Sequence, residues 1–482
     1  MGNTYYIAAI ELSSSKISGA VGIETHEGIR ILATASTPVN GFITKGVVRN
    51  VDETSNAINC IINNLEQTLE DKYKVSIKRA YISFAGLTVH SIKSKVTRGF
   101  ADYTKITPDI INDMARENDD MFNAPEGYIR VRSITQEYKI DGKIDNNPVG
   151  APTKTIEGNY LNLVIKEQYF KQLEECFTQA RIEIADSFSA ARMDADIMLS
   201  KDARRNGCAL VNVGADTTTI AIYKNDLLRM LTVLPLGSSN ITRDICAEHV
   251  SYDEAEEIKI TRGYNSPVNE KEPVETAVLN GIINARAGEI LQNVKYRIEE
   301  SGEDIHHLVF TGGGSKLKNF DMLLEEYLPN FKNDIVSEPQ FNLVCDNGVN
   351  INGVFTTALY GLLKQGKDNC CEEEKPQAKP VPQQEIQTSL WNEIEEPQVV
   401  EPKAPVETAE DRRRKAEEEK QKRKEEERRL KEEKKKKKEE ERKRREEERK
   451  NNPGMFATLF GTAKQWFEDA TGDDENDNRN ND

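Results

Sequence analysis

No stretch of the chain approaches the roughly 18 consecutive apolar residues that a membrane-spanning helix needs, so nothing in it is expected to cross a bilayer as a helix. The opening MGNTYYIAAIEL has no basic leader and no long apolar core, which argues against a secretory signal. Tyr6 stands where a myristoylation signal wants Ser or Thr. The seven cysteines include no CxxC pair, and the adjacent Cys370 and Cys371 are expected in a polar linker. An odd number of scattered cysteines fits reduced thiols in a cytosol and argues against a metal site. Outside one run, positive charge is outnumbered by negative. From Asp411 to Lys450 there are 22 Lys/Arg against 15 Asp/Glu, so the net −16 of the whole chain leaves −23 on the rest. An acidic body repels phosphates, which argues against non-specific nucleic-acid binding.

What is present falls into segments. The 482 residues are too many for one simple core. Residues 1 to about 365 alternate apolar strands with amphipathic helices, the pattern of an α/β fold. Residues 366–410 hold six prolines, many Glu and Gln and few apolar side chains, the composition of a disordered linker. Within it, LWNEI (Leu390 to Ile394) reads as a short docking motif or as incidental.

The run at 411–450 has only Ala416 and Leu430 as apolar residues, which excludes a coiled-coil seam. Glu precedes a base by four positions repeatedly: Glu418–Lys422, Glu425–Arg429, Glu432–Lys436, Glu439–Lys443 and Glu446–Lys450. Each such pair supports a lone helix by about 0.2–0.5 kcal/mol. The run reads as a stiff charged helical spacer of roughly 60 Å, with a disordered polyampholyte as the alternative. At 453–470, PGMFATLFGTAKQWFEDA places Phe456, Leu459, Phe460, Ala463, Trp466 and Phe467 on one helical face. Such a helix can fold back as core, enter a groove on a partner, or lie in a membrane interface with Trp466 at headgroup depth. The intervening linker and spacer disfavour the first.

The globular part contains an internal repeat. YIAAIELSSSKISGAVGI (Tyr6 to Ile23) resembles CALVNVGADTTTIAIY (Cys208 to Tyr223), each a strand, a tight turn and a second strand. A third strand follows each, IRILATAST and LLRMLTVLPL, so two facing lobes with a cleft between them are expected. Turns rich in Ser, Thr and Gly expose N–H groups and hydroxyls that cradle phosphates. HLVFTGGGSKLKNF (His307 to Phe320) runs a strand into three glycines, where the backbone can approach a flat ligand closely. Two such turns with a later strand-GGG-helix form the pattern of the actin-like ATPases.

More specific stretches make the chain similar to the FtsA family of bacterial cell-division proteins. ITQEYKIDGKIDNNPVG (Ile134 to Gly150) resembles the end of that family's inserted small subdomain, and GFITKGVVRNVDE (Gly41 to Glu53) its early turn and helix start. DEAEEIK (Asp253 to Lys259) resembles its adenine-side helix, and NGVFTTALYGLL (Asn352 to Leu363) its last domain helix.

The resemblance implies a two-lobed actin-like (ribonuclease H-like) ATPase fold. Lobe I would comprise 1–79, 169–205 and 351–365, with a small α+β subdomain inserted at 80–168 and lobe II at 206–350. It implies an ATP site with Mg²⁺: a first phosphate turn at Glu11, Ser13, Ser14, Ser15 and Lys16, and a second at Gly214, Ala215, Asp216, Thr217 and Thr218. Glu256 and Lys259 would lie on the adenine side, above a floor of Gly312, Gly313 and Gly314. Glu11, through water, and Asn212 would be nearest the metal. The chain departs from the family at Ser13, where Gly is usual, and at Asn212 and Thr219, where Asp is usual. Very slow hydrolysis is therefore expected, and Asn212→Asp is expected to raise it.

The implied function is self-association, recruitment of the tubulin-like FtsZ and other divisome proteins, and peripheral attachment to the cytoplasmic face of the membrane at the septum through the tail helix. Two alternatives stand beside this reading. One is a scaffold of another envelope machine, such as pilus assembly. The other is an ATP-hydrolysing enzyme of the same fold, a sugar kinase or a chaperone. The kinase would have no use for the spacer and tail, and the chaperone would need a β-rich domain after residue 365.

Overall fold

The computed structural model describes residues 5–26, 28–70, 72–267, 273–336, 344–346, 348–349, 351 and 356–373. The charged run, the amphipathic tail and all of the expected linker beyond residue 373 lie outside the described residues. Two sheets organise the rest. In the first, strands Tyr6–Leu12, Lys16–Thr25 and Gly28–Pro38 form an antiparallel meander, with Tyr6 opposite Ile23 and Lys16 opposite Pro38. Strands Arg79–Phe84 and Glu183–Ser189 then add in parallel beside Tyr6–Leu12. The second sheet repeats this plan. Cys208–Val213, Thr218–Lys224 and Leu227–Leu234 form the meander, and His307–Thr311 and Lys332–Ile335 add in parallel. Two copies of one five-strand order make the lobes, as the internal repeat predicts.

The central strands are apolar on both faces because helices cover them. Ile7 through Ile10 and Cys208 through Val211 are all buried. Helix Val51–Glu70 covers the first sheet with Ile58, Ile61, Leu65 and Leu69. It begins in a reciprocal cap: the Asn50 side chain accepts from the Glu53 N–H at 3.1 Å and donates to the Glu53 carboxylate at 2.7 Å. Helix Thr276–Glu300 supplies the long buried stripe Leu279, Ile283, Ala287, Ile290, Leu291 and Val294 to the second lobe.

Between strand Arg79–Phe84 and helix Glu167–Gln179 sits the small α+β insertion. Its four-stranded antiparallel sheet runs in the order Lys143–Asp145, Tyr128–Ile140, Pro152–Lys166, His90–Lys105. Helix Pro108–Met121, capped by the Thr107 hydroxyl with Pro108 in its first turn, packs on that sheet. Val96, Ile106, Met114, Tyr138, Ile156 and Tyr160 form its own small core.

Three expected boundaries are corrected. Residues 80–84, which the expected boundary assigned to the insertion, belong with Arg79 to a buried strand of the first sheet, because AYISF fills the place beside the central strand. Val344–Cys345, expected in the second lobe, pairs with Gly28–Pro38 in the first sheet. Residues 366–373, expected to be linker, are ordered. Cys371–Glu373 pairs antiparallel with Val75–Ile77, and both Cys370 and Cys371 are buried against the first lobe. Polar composition hid this segment, since its two thiols are its only apolar anchors.

Candidate functional site

The two meander turns face each other across a cavity of about 520 Å³ between the lobes. Ser13 closes the first turn. Its N–H and its hydroxyl donate to the Lys16 carbonyl at 3.1 and 2.8 Å, and its Oγ accepts from the Lys16 N–H at 3.3 Å. A glycine there would lack the side-chain bonds, so serine is a rigidifying choice at this turn. Ser14 Oγ accepts from the Gly46 N–H at 2.9 Å and ties the turn to its neighbouring loop. Glu11, Ser13, Ser14, Ser15 and Lys16 all line the cavity.

The second turn is closed by the Gly214 N–H on the Thr217 carbonyl at 2.9 Å. The start of the following helix is folded onto it, the Ser239 N–H donating to the Ala215 carbonyl at 2.8 Å. Asn212, Gly214, Ala215, Asp216, Thr217 and Thr219 line the cavity, but Thr218 does not. Strand alternation turns Thr218 into the lobe, where it is fully buried and its hydroxyl donates to the Leu236 carbonyl at 2.8 Å. Thr218 is thereby corrected from a cavity residue to a packing one. Asp216 faces two directions at once: one oxygen accepts from the Lys45 N–H of the other lobe at 3.1 Å, the other from Arg243 at 3.2 Å.

At one end, helix Tyr252–Arg262 presents Glu256 and Lys259. The pair is no ordinary surface bridge. Lys259 is only 6 % exposed, and its ammonium reaches Glu256 at 2.7 Å and Thr242 at 2.9 Å. Burial holds the Lys259 ammonium below the usual lysine range, with Glu256 pulling it back up. Gly313 and Gly314 line the cavity, but Gly312, expected in the floor with them, does not. Gly312 has φ of +92°, and a Cβ there would sit 2.4 Å from Asn212 Oδ1 and 2.5 Å from the Val213 carbonyl oxygen. Only glycine lets that backbone lie against the second strand pair.

The floor holds a cluster that sequence reasoning missed. Asp194, from helix Ala190–Met198, is 3 % exposed and borders the cavity beside Glu11. Its carboxylate accepts from Asn212 Nδ2 at 2.8 Å and from the Thr357 hydroxyl, while the Thr356 hydroxyl donates to Glu11. Burial, then the neighbouring Asp194 charge, push Glu11 up to about 7, against the pull of Thr356 and Lys16. Asp194 is likewise raised by burial, against the bonds from Thr357, Asn212 and the Ala358 N–H. The available signal was slight: two acids, Asp194 and Asp196, in a short helix that also carries Arg192, with no spacing to say which faces inward.

The family model for the cell division protein FtsA matches residues 209–345. Cell division protein FtsA of Porphyromonas gingivalis is 28% identical over 350 residues, covering 68% of this chain and 71% of that protein. FtsA of Bacillus subtilis is 26% identical over 365 residues, covering 71% and 80%. Among solved structures, a PilM-PilN type IV pilus biogenesis complex superposes with a TM-score of 0.54 at 16% identity, over 74% of this chain and 97% of that one.

Proposed function

The chain is related to the bacterial cell-division protein FtsA and has the actin-like ATPase fold, and from that premise we propose that it is an ATP-binding membrane adaptor of cell division. The cavity between two phosphate-type turns carries the nucleotide half of this reading. Adenosine would lie against Gly313 and Gly314 with Glu256 and Lys259 at its edge. The triphosphate would lie between the turns, where backbone N–H groups, the serine and threonine hydroxyls and Lys16 offset its charge.

Magnesium suits the donor set. Among the described residues no group of three or more His, Cys, Asp or Glu converges on one point. Mg²⁺ on a nucleotide is commonly held by one or two carboxylates with phosphates and waters. Glu11 is the carboxylate placed for that role, and the Asn212 carboxamide adds an uncharged donor. Bound there, the ion would offset charge on the phosphates; turnover is expected to stay very slow, with nucleotide acting as a switch for self-association.

The adaptor half rests on the relatives and on residues 453–470. The tail face of Phe456, Leu459, Phe460, Ala463, Trp466 and Phe467 would enter the cytoplasmic membrane interface at the septum. The acidic body would meanwhile hold FtsZ and other divisome proteins. Each large apolar side chain entering the interface contributes on the order of 1–2 kcal/mol, so one tail binds reversibly and an assembly of many binds firmly. The test is flotation with liposomes and purified FtsZ, beside ATP titration. Phe460→Asp or Trp466→Glu is expected to release the protein from lipid with ATP affinity unchanged. Flotation undiminished in both variants would overturn the membrane role, and a parent that binds no ATP would overturn the nucleotide role.

A further inference from the structure

Asn212 stands at the end of strand Cys208–Val213, at the entrance to the second turn, and brings a neutral carboxamide to the floor of the cavity. A carboxamide held by nothing rotates freely and adds little to a cation site. Asn212 is not in that condition. Its Nδ2 donates to Asp194 Oδ2 at 2.8 Å, so the amide has one orientation, with Oδ1 beside Gly312.

Asp194 is fixed in turn from other directions. The Thr357 hydroxyl and the Ala358 N–H, both at the start of helix Thr357–Gln365, donate to it. Three donors surround a carboxylate that is almost fully buried: two hold it to the start of helix Thr357–Gln365, and the third, Asn212, ties it to the cavity. Its neighbours Met193, Ala195 and Ile197 are buried hydrophobics of the first-lobe core.

We propose that Asp194 and Asn212 act as one unit in which Asp194 is a positioning residue. It supplies the negative charge that Asn212 lacks beside the metal-bearing end of a bound nucleoside triphosphate, and it holds the Asn212 amide in its one orientation. The inference rests on the nucleotide reading above and concerns only how this chain meets the cation. It also reverses one expectation. Asn212→Asp does not simply restore a metal ligand, because the new carboxylate would lie 2.8 Å or so from an existing one, and two carboxylates so close cannot both stay charged.

The experiment is a double-mutant cycle of Asp194→Asn, Asn212→Asp and the reciprocal exchange of both. ATP affinity is read with Mg²⁺ and with EDTA, and folding is checked by thermal unfolding. The parent should bind ATP more tightly with Mg²⁺. In Asp194→Asn the Mg²⁺-dependent gain should fall by about tenfold or more, in the range seen when an outer-shell partner of a metal ligand is removed. EDTA-state binding should change little. The reciprocal exchange keeps one carboxylate and one amide in contact and should restore the gain. An Asp194→Asn protein with the parental Mg²⁺ dependence would overturn the inference, as would an exchange that folds and binds ATP but recovers nothing. A parent that fails to bind ATP in either buffer would instead overturn the nucleotide reading itself.

Discussion

Glu11 sits where burial and a second carboxylate both oppose its charge. Its value rises from an ordinary 4.5 to about 7 in the folded protein. A raised group contributes stability that is complete below its unfolded value and is lost as pH climbs through the folded one. Nucleotide-free protein in EDTA should therefore weaken from about pH 4.5 to pH 7 relative to a Glu11→Gln variant, with the gap in thermal midpoint widening over that range. A constant gap between pH 5 and pH 8 would show that Glu11 ionises normally. The residues of the two turns were legible because small hydroxylated side chains and glycine between apolar strands have few other uses. Asp194, Thr356 and Thr357 were not, because each earns its place only through partners distant in sequence. Asn212 lies 18 positions from Asp194, and Glu11 lies 345 from Thr356.

Among the elements, the segment 366–373 holds only a three-residue strand but is densely hydrogen-bonded to the first lobe. The Cys370 N–H donates to the Tyr6 carbonyl at 2.7 Å, and the Tyr6 N–H donates to Asn369 Oδ1 at 2.9 Å. The Lys367 and Asp368 N–H groups both donate to the Tyr81 hydroxyl at 3.0 Å. Gly366 packs so closely that a Cβ would lie 2.2 Å from Ile7. The segment straps the strands that begin and flank the first sheet. Each such bond is worth on the order of 1 kcal/mol net. Ending the chain after Gln365 should thus lower the thermal midpoint by about 5 °C or more, whereas ending it after Glu373 should leave the midpoint of the first lobe unchanged. Thiol labelling gives a second check. Burial pushes Cys370 up to about 11 and Cys371 up to about 12, and both are covered, while Cys60 is exposed. Cys60 should react with a thiol reagent well before either, and rapid modification of Cys370 or Cys371 in native protein would contradict the strap. A three-residue strand inside a proline-flanked polar stretch offers no periodicity, which is why composition assigned it to the linker.

At the scale of the molecule, the repeat of strand, turn and strand was enough to foresee two lobes, but not what joins them to the insertion. The insertion's strand His90–Lys105 packs on Leu227–Leu234 of the second lobe, with the Leu231 N–H donating to Ser91 at 2.8 Å. Beside it, Arg229 pairs with Glu137, the two side chains being 11% and 16% exposed. Removing one partner of a buried pair costs more than the pair contributes, because the other charge stays buried without its counterion. Arg229 keeps only weaker contacts to Gln136 at 3.5 Å and the Lys224 carbonyl at 3.3 Å. Glu137→Gln should therefore cost about 3 kcal/mol in denaturant unfolding, the lower end for a buried pair that is not fully dry. Combining it with Arg229→Met removes the orphaned charge and should recover most of the loss. The same logic governs excision of the insertion to test its part in self-association. A cut beginning at residue 80 removes most of strand Arg79–Phe84 from the first sheet, and would abolish folding rather than assembly. A cut between the end of that strand and Glu167, made together with Arg229→Met, should leave ATP binding nearly intact and reduce sedimentable self-association. If the excised protein binds ATP and still sediments like the parent, the insertion is a passive appendage of the fold.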